Sequence, residues 1–598
     1  MASVPLLWPS QRSGGNSSDC ALPAAPKFVM TGTRRGGAES AYSTANEEAF
    51  QEVEDDEDNA SGRPDQRLPS RRLLAFLGAV SALEGADAML LPASFRALQL
   101  DLALTPLDLA SMSLAQALMS SLAAPVWGIL ADRGVLPRRI ILAFGALGWG
   151  VVTLLLAAAS SRNSMLLLRA VNGSLLACLG PVCQGIVADV TAESKRGEVL
   201  GLLGFLTLVG SMLASLITTP ISRQMVLGVQ GWRVAFSGIG AASIFVAVLI
   251  WAKMEEPEKE SWGEPLPVPE DMAAEGELDA ATPSKSPKTP SFVRRTASFS
   301  FEKLLSGSCW ASSMGSALGE EAFRLRDYLQ TPTFMVIVLQ GCFGGIPWNA
   351  MGFSTMYFQQ VGLSDFNASL ISALGQGCTA IGTFSGGRIG DALARHFPDH
   401  GRPLTAQISV TAGIPCVFLM FWVLPATPAS LPWYALLTAL MGLTASWCAT
   451  GVNRPILSEI VSPNGRSVIM AWDAALEGSM AALFGAPAVG FLSERVFGYK
   501  LETGLDVGGS NASLANDLEQ ANNTRALGLA LVWATSGPWL LCLSLYTFLH
   551  WSYPKDRARV AALKAGGSWC TPHGTPKAQV VGERSEGQDV ERAPLAHP

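Results

Sequence analysis

Charge is scarce in this chain. Asp, Glu, Lys and Arg make up 15% of its 598 residues, and 49% are hydrophobic. Soluble domains carry about 25% charge, so an assembly of water-soluble domains is excluded. The cysteines number 10, and no two have disulfide or zinc spacing. Cys178, Cys183, Cys342, Cys378, Cys416, Cys448 and Cys542 fall inside apolar runs and read as small packing residues. No Gly-rich phosphate loop ending in Gly-Lys-Ser or Gly-Lys-Thr is present, which removes ATP drive within the chain. No catalytic triad or metal cluster is visible, so neither enzymatic chemistry nor a metal or cofactor is expected. The only apolar run near the N-terminus, Val4 to Trp8, is shorter than the ~7–15 residues of a secretory h-region. The first membrane span is therefore expected to serve as the insertion signal. The net charge of -7 comes largely from two polar stretches, Glu47 to Asp58 and Glu255 to Asp279, and nothing resembles a nucleic-acid footprint.

What the chain has instead is long hydrophobic runs. A helix needs ~20 mostly apolar residues to cross a bilayer. Twelve such runs lie near 73–94, 107–131, 139–160, 164–189, 198–221, 234–253, 332–359, 367–386, 406–425, 431–453, 468–492 and 526–550. The expected organisation is a polar tail over 1–70, six helices over 71–253, a polar central loop over 254–326, six helices over 327–552 and a polar tail over 553–598. Low hydrophobicity predicts disorder in the polar pieces. Basic residues orient the chain. Placing both termini in the cytoplasm gives the inner loops Arg133, Arg138, Arg139, Lys195, Arg196, Arg395, Arg402 and Arg466. The outer loops then hold scattered bases such as Arg96, Arg162, Arg223 and Lys500. Sequons at Asn367, Asn511 and Asn522 fall outside in that topology and are glycosylation candidates.

Two hinges repeat one pattern, one in each half. Gly128-Ile-Leu-Ala-Asp132-Arg133-Gly134 follows the second run, and Gly387-Arg-Ile-Gly-Asp391 follows the eighth. A second match joins them: Asp189 precedes Arg196 by seven residues, as Glu459 precedes Arg466. This duplication predicts an all-α membrane protein of twelve transmembrane helices in two pseudo-symmetric six-helix bundles, an architecture of transporters. The repeated acids and bases read as a cytoplasmic gate between the halves, with Gly128 and Gly387 letting neighbouring helices approach. A static topology anchor is the alternative.

These residues resemble the major facilitator superfamily over about residues 72–560. Gly128-x-x-Ala131-Asp132-Arg133 is similar to its loop signature, although Gly134-Val-Leu-Pro-Arg138-Arg139 departs from the usual Gly-Arg-Arg spacing. Arg169 with Gly173, and Gly231-Trp232-Arg233, resemble two further signatures. Ile346-Pro347-Trp348 and Tyr553-Pro554-Lys555-Asp556-Arg557 resemble the spinster-like group. That group often carries Asp-Arg in its first span, where this chain has Asp87-Ala88. The resemblance implies the major facilitator fold, and its spinster-like branch implies a lipid-like substrate.

Ionisable residues inside spans mark candidate transport sites, because a charge at the bilayer centre costs ~2.5–3.5 kcal/mol on insertion scales. Glu84 and Asp87 share one face of the first span, and Asp473 and Glu477 one face of the eleventh. The alternative puts these acids near span ends, solvated and idle. Arg169 and Arg454 are the candidate bases; snorkelling and pairing with Glu459 are their respective alternatives. Pro455 would loosen the helix beside Arg454. Trp348 and Asn349 could line a cavity, as could Trp447 and Trp472, with packing the plainer reading. In the central loop, Arg294-Arg295-Thr296-Ala297-Ser298 makes a kinase a candidate partner at Ser298. The expected function is secondary active transport of a small organic or amphipathic, lipid-like solute by alternating access, proton-coupled through Glu84 or Asp87. An uncoupled facilitator or organic-anion exchanger, and a transporter-like receptor, are the rivals.

Overall fold

The computed structural model describes residues 69–132, 136–255, 325–461, 466–501 and 510–565. The expectations for the N-terminal tail, most of the central loop, the far end of the C-terminal tail, Arg133, Ser298 and the side chains of Asp132 and Asn511 lie outside the described residues.

Helices dominate. In the first half they are α1 (Arg71–Leu102), α2 (Pro106–Asp132), α3 (Arg138–Ala158), α4 (Arg162–Leu176), α5 (Leu179–Val190), α6 (Glu193–Ser222) and α7 (Gly231–Lys253). A two-stranded hairpin, β1 (Met225–Val226) with β2 (Val229–Gln230), joins α6 to α7. In the second half they are α8 (Pro332–Ala350), α9 (Ser354–Gln360), α10 (Asp365–His396), α11 (Gly401–Phe418), α12 (Leu431–Ala445), α13 (Arg454–Glu459), α14 (Arg466–Phe491) and α15 (Ser510–Ala565). Three crossings are composite: α4 with α5, α8 with α9, and α12 with α13. Among the described residues, eleven of the resulting spans are long and apolar enough to cross a membrane. The twelfth, α10, has 32 residues, but its uncharged stretch over 367–386 is rich in Gly, Ser, Thr and Gln and too weakly hydrophobic to be counted with them. The result is twelve transmembrane helices in the expected all-α fold.

Local chemistry sets the helix ends. Thr105 and Asp108 exchange backbone and side-chain hydrogen bonds at the start of α2 (3.1 and 3.2 Å), a reciprocal cap that satisfies two orphan amides. Ser161 and Ser164 do the same for α4. Arg233 closes the far end of α3, donating to the carbonyls of Ala157 and Ala159 at 2.9 and 2.8 Å. Trp232 meanwhile donates to Asp101 at 3.0 Å. The Gly-Trp-Arg segment therefore clamps α1, α3 and α7 together. Pro455 has the expected effect. It lacks the N–H that would reach Gly451, the helix widens into a π-turn over Ala449–Asn453, and Arg402 donates to the Gly451 carbonyl instead at 3.1 Å.

Small residues bring backbones together where lipid offers no hydrophobic drive. A Cβ on Gly85 would collide with the Thr207 carbonyl, and one on Gly210 with that of Ala82. Ser211 donates to the Gly85 carbonyl across the same α1–α6 seam (2.8 Å). The expected close approach at Gly128 and Gly387 is not there: each meets only ordinary contacts at 3.8 Å. The tight positions of α10 are Gly375 against Thr438, Gly382 against Gly442 and Ser446, Gly386 against Trp447 and Gly390 against Gly451.

The halves meet along α2 with α14 and α6 with α10. Further ties cross between them at the pole opposite the termini. Gln99 donates to Tyr499 at 2.7 Å, the Leu107 amide to Glu494 at 2.6 Å, and Arg223 to Asp365 at 3.1 Å. Phe95 and Phe353 pack with ring centres 4.6 Å apart.

Candidate functional site

Near the middle of the first half lies a polar network that four helices build. Asp87 of α1 is fully buried. It accepts from the Gln116 amide of α2 at 2.8 Å and from the Trp149 indole of α3 at 3.0 Å. Gln116 also donates to Asn172 of α4 at 2.8 Å, and its carbonyl accepts from Arg169 of α4. Asn172 continues to Thr153 of α3 at 3.0 Å. Arg169 is 1% exposed, so it does not snorkel to an interface. Its Nε and Nη1 atoms have no hydrogen-bond partner. A buried cation and a buried anion thus face each other through one carboxamide, with donors to spare. Gly173 makes this possible, because any Cβ there would strike the Gln116 backbone.

Glu84 lies one turn from Asp87 and is half-buried. It has no hydrogen bond or ion pair with the described residues, although it feels the charge of Asp87. The shared face expected for these two acids therefore holds one fully engaged carboxylate and one spare.

The second half arranges its groups differently. Asp473 is 7% exposed, and its Oδ1 has no hydrogen-bond partner. Glu477, one turn deeper, packs on Gly341 of α8, where a Cβ would overlap its carboxylate. Both lie within electrostatic reach of Arg454, whose side chain is exposed. Trp348 is 38% exposed and touches Trp539, ring centres 6.1 Å apart. Neighbouring Asn349 is exposed and bonds back to the Gly345 carbonyl at 3.4 Å. Beside them Tyr546 donates to Asn453 at 3.1 Å.

At the pole carrying the termini, the residues read from the sequence as a gate pair within their own halves. Asp189 pairs with Arg138 at 2.5 Å, not with Arg196, whose Nε donates to the Thr191 carbonyl at 3.1 Å. Glu459 pairs with Arg402 at 3.5 Å, while Arg466 donates to the Ser458 carbonyl at 3.2 Å. Asp391 also takes Arg402, at 3.2 Å. The repeat is real but its partners are other: the arginine that opens α3 or α11 meets the acid that ends α5 or α13. Of the sequons, Asn522 is exposed and Asn367 half-buried.

Gln116, Trp149, Asn172 and Thr153 escaped the sequence reading, which followed charge. Gln116 and Asn172 carried a usable signal as polar amides deep in apolar spans; Trp149 carried none.

The description Major Facilitator Superfamily belongs to the family model that matches residues 77–486. Among curated proteins, the multidrug resistance protein MdtG of Salmonella paratyphi C (strain RKS4594) is 34% identical over 133 residues, which cover 22% of this chain and 31% of that protein. The match spans about a third of that relative's length. Among solved structures, a bacterial homologue of the human lysosomal transporter Spinster, in an inward-facing and occupied conformation, gives a TM-score of 0.61 at 18% identity, covering 81% of this chain and 98% of that one. The nucleoside transporter NupG gives 0.51 at 12%, covering 81% and 98%.

Proposed function

Because the chain belongs to the Major Facilitator Superfamily, we propose that it is a secondary transporter, moving a small organic or amphipathic solute by alternating access and coupled to protons through the acids of α1. The superfamily's transporters are not enzymes, and no bond of the solute is made or broken. The Asp87–Gln116–Arg169 network carries this reading. Asp87 and Arg169, both buried, offset each other's charge. Glu84 has no such partner, so it must meet water or take up a proton when its side of the cavity closes. That makes Glu84 the proton-exchanging group, and Asp87 with Arg169 the fixed pair that senses it.

The ties at the pole opposite the termini support a state sealed at that end. In the proposed cycle they break as the other pole closes, and solute between the halves changes sides. Asp473 and Glu477 would contact the solute from the second half, with Trp348 and Asn349 beside it. Arg138–Asp189 and Arg402–Glu459 would hold each half's helix ends together while the halves rock.

The test is uptake of a transported solute into proteoliposomes, with and without a pH gradient. Glu84→Gln is expected to abolish stimulation by the gradient and to leave counterflow intact. Unchanged stimulation in both Glu84→Gln and Asp87→Asn would refute proton coupling. The unpartnered nitrogens of Arg169 favour a second reading, an uncoupled organic-anion exchanger. That reading expects wild-type counterflow to be indifferent to the gradient and lost in Arg169→Gln.

A further inference from the structure

At the pole of the termini, α10, α11, α13 and α15 line an open cavity of about 270 Å³, with Asp391, Arg395, Arg402, Glu459, Tyr553 and Arg557 among its walls. Three guanidiniums and two carboxylates face it, and the carboxylates are already engaged. Asp391 holds Arg402 at 3.2 Å. Glu459 takes Arg402 and Arg557, each at 3.5 Å, and accepts from the Tyr553 hydroxyl. Arg395 is left over: it is exposed and makes no hydrogen bond or ion pair with the described residues.

Arg557 also pairs with Asp399 at 3.5 Å and donates to the Pro398 carbonyl at 2.9 Å, which leaves Arg395 as the cavity's one unengaged base among the described residues. Lys555 and Arg559 are exposed on α15, where the last span leaves its apolar stretch. The Lys555 ammonium sits 3.7 Å above the Trp551 ring, an aromatic suited to the headgroup level. Lys555 and Arg559 lie about 200° around α15 from Tyr553 and Arg557, so the cavity itself presents Arg395, Arg402 and Arg557. The two outer bases give the exposed flank of α15 a positive charge that draws anionic lipid to the bilayer edge.

We propose that this cavity binds a phosphate monoester, presented by the headgroup of an anionic lipid at the bilayer edge. Such a group carries about -1.5 to -2 charge and three acceptor oxygens. Arg395 would supply the uncompensated charge, and Arg557 the second donor from the facing helix. Occupancy would tie α10 to α15 beside Asp391 and Glu459. The inference needs only that the chain spans a membrane, and it stands or falls separately from proton coupling.

The test is thermal unfolding of the full-length protein in nanodiscs of phosphatidylcholine alone or with added phosphatidic acid. Glycerol 3-phosphate, added to phosphatidylcholine nanodiscs, is the soluble arm. Phosphatidic acid is expected to raise the midpoint by a few degrees. Arg395→Gln should keep the phosphatidylcholine midpoint and lose the rise, and Arg557→Gln should reduce it. An equal rise with glycerol 3-phosphate that Arg395→Gln abolishes supports the cavity and makes its source a soluble ester. No rise with either compound, or a rise that survives Arg395→Gln, overturns the proposal.

Discussion

Each side chain in the N-terminal network has one defined task. Gln116 points both amide hydrogens at acceptors, Asp87 and Asn172, and its oxygen at Arg169. Its orientation is therefore fixed by three neighbours at once. An interhelical hydrogen bond in a membrane is worth only about 0.6 kcal/mol on average. Trp149→Phe, which removes one donor to Asp87, should thus cost little stability, under about 2 kcal/mol. Asp87→Leu strips the counter-charge from a 1%-exposed Arg169 and should cost about 3–5 kcal/mol. Thermal or chemical unfolding in detergent checks both; equal losses would mean that charge pairing is not what the network supplies. Sequence reading found Asp87 and Arg169 because buried charge is conspicuous. It could not find the amide between them, because which polar groups meet depends on helix rotation and tilt, and hydrophobic runs do not encode either.

Among the elements, span positions were largely legible and span interiors were not. The run read near 139–160 is α3 (Arg138–Ala158), and that near 332–359 is α8 with α9 (Pro332–Gln360). Hydrocarbon thickness fixes such lengths. The loosening at Pro455 was also readable, since a missing N–H has one consequence. The partner swap at the gate was not. Spacing matched Asp189 and Arg196 to Glu459 and Arg466 as parts of a gate between the halves, but each acid faces the arginine that opens another helix of its own half. Two outcomes follow at this scale. Gly85→Val puts methyl groups into the Thr207 carbonyl, so it should separate α1 from α6 and cost about 1–3 kcal/mol. A stability equal to wild type would show that the seam has slack. Arg233→Ala removes both donors that close α3, and should lower the unfolding midpoint more than Arg233→Lys, which keeps a charge but not the fork. Equal effects would reduce the clamp to simple charge.

For the whole molecule, the central claim is that two six-helix halves rock as units about the seams α2–α14 and α6–α10. The structure holds the pole opposite the termini together through Leu107–Glu494, Gln99–Tyr499 and Arg223–Asp365. Glu494→Ala with Arg223→Ala should shift the equilibrium toward the state open at that pole, because the lost bonds exist on one side of the cycle. Spin labels report this most directly. One pair, at Gln224 and Phe366, spans the halves at the sealed pole, and another, at Glu198 and His396, spans them at the pole of the termini; all four positions are exposed. The account predicts that the double substitution lengthens the first distance and shortens the second in the same molecules. Distances that change at one pole alone, or lengthen together at both, would contradict rocking and leave the halves merely loosened.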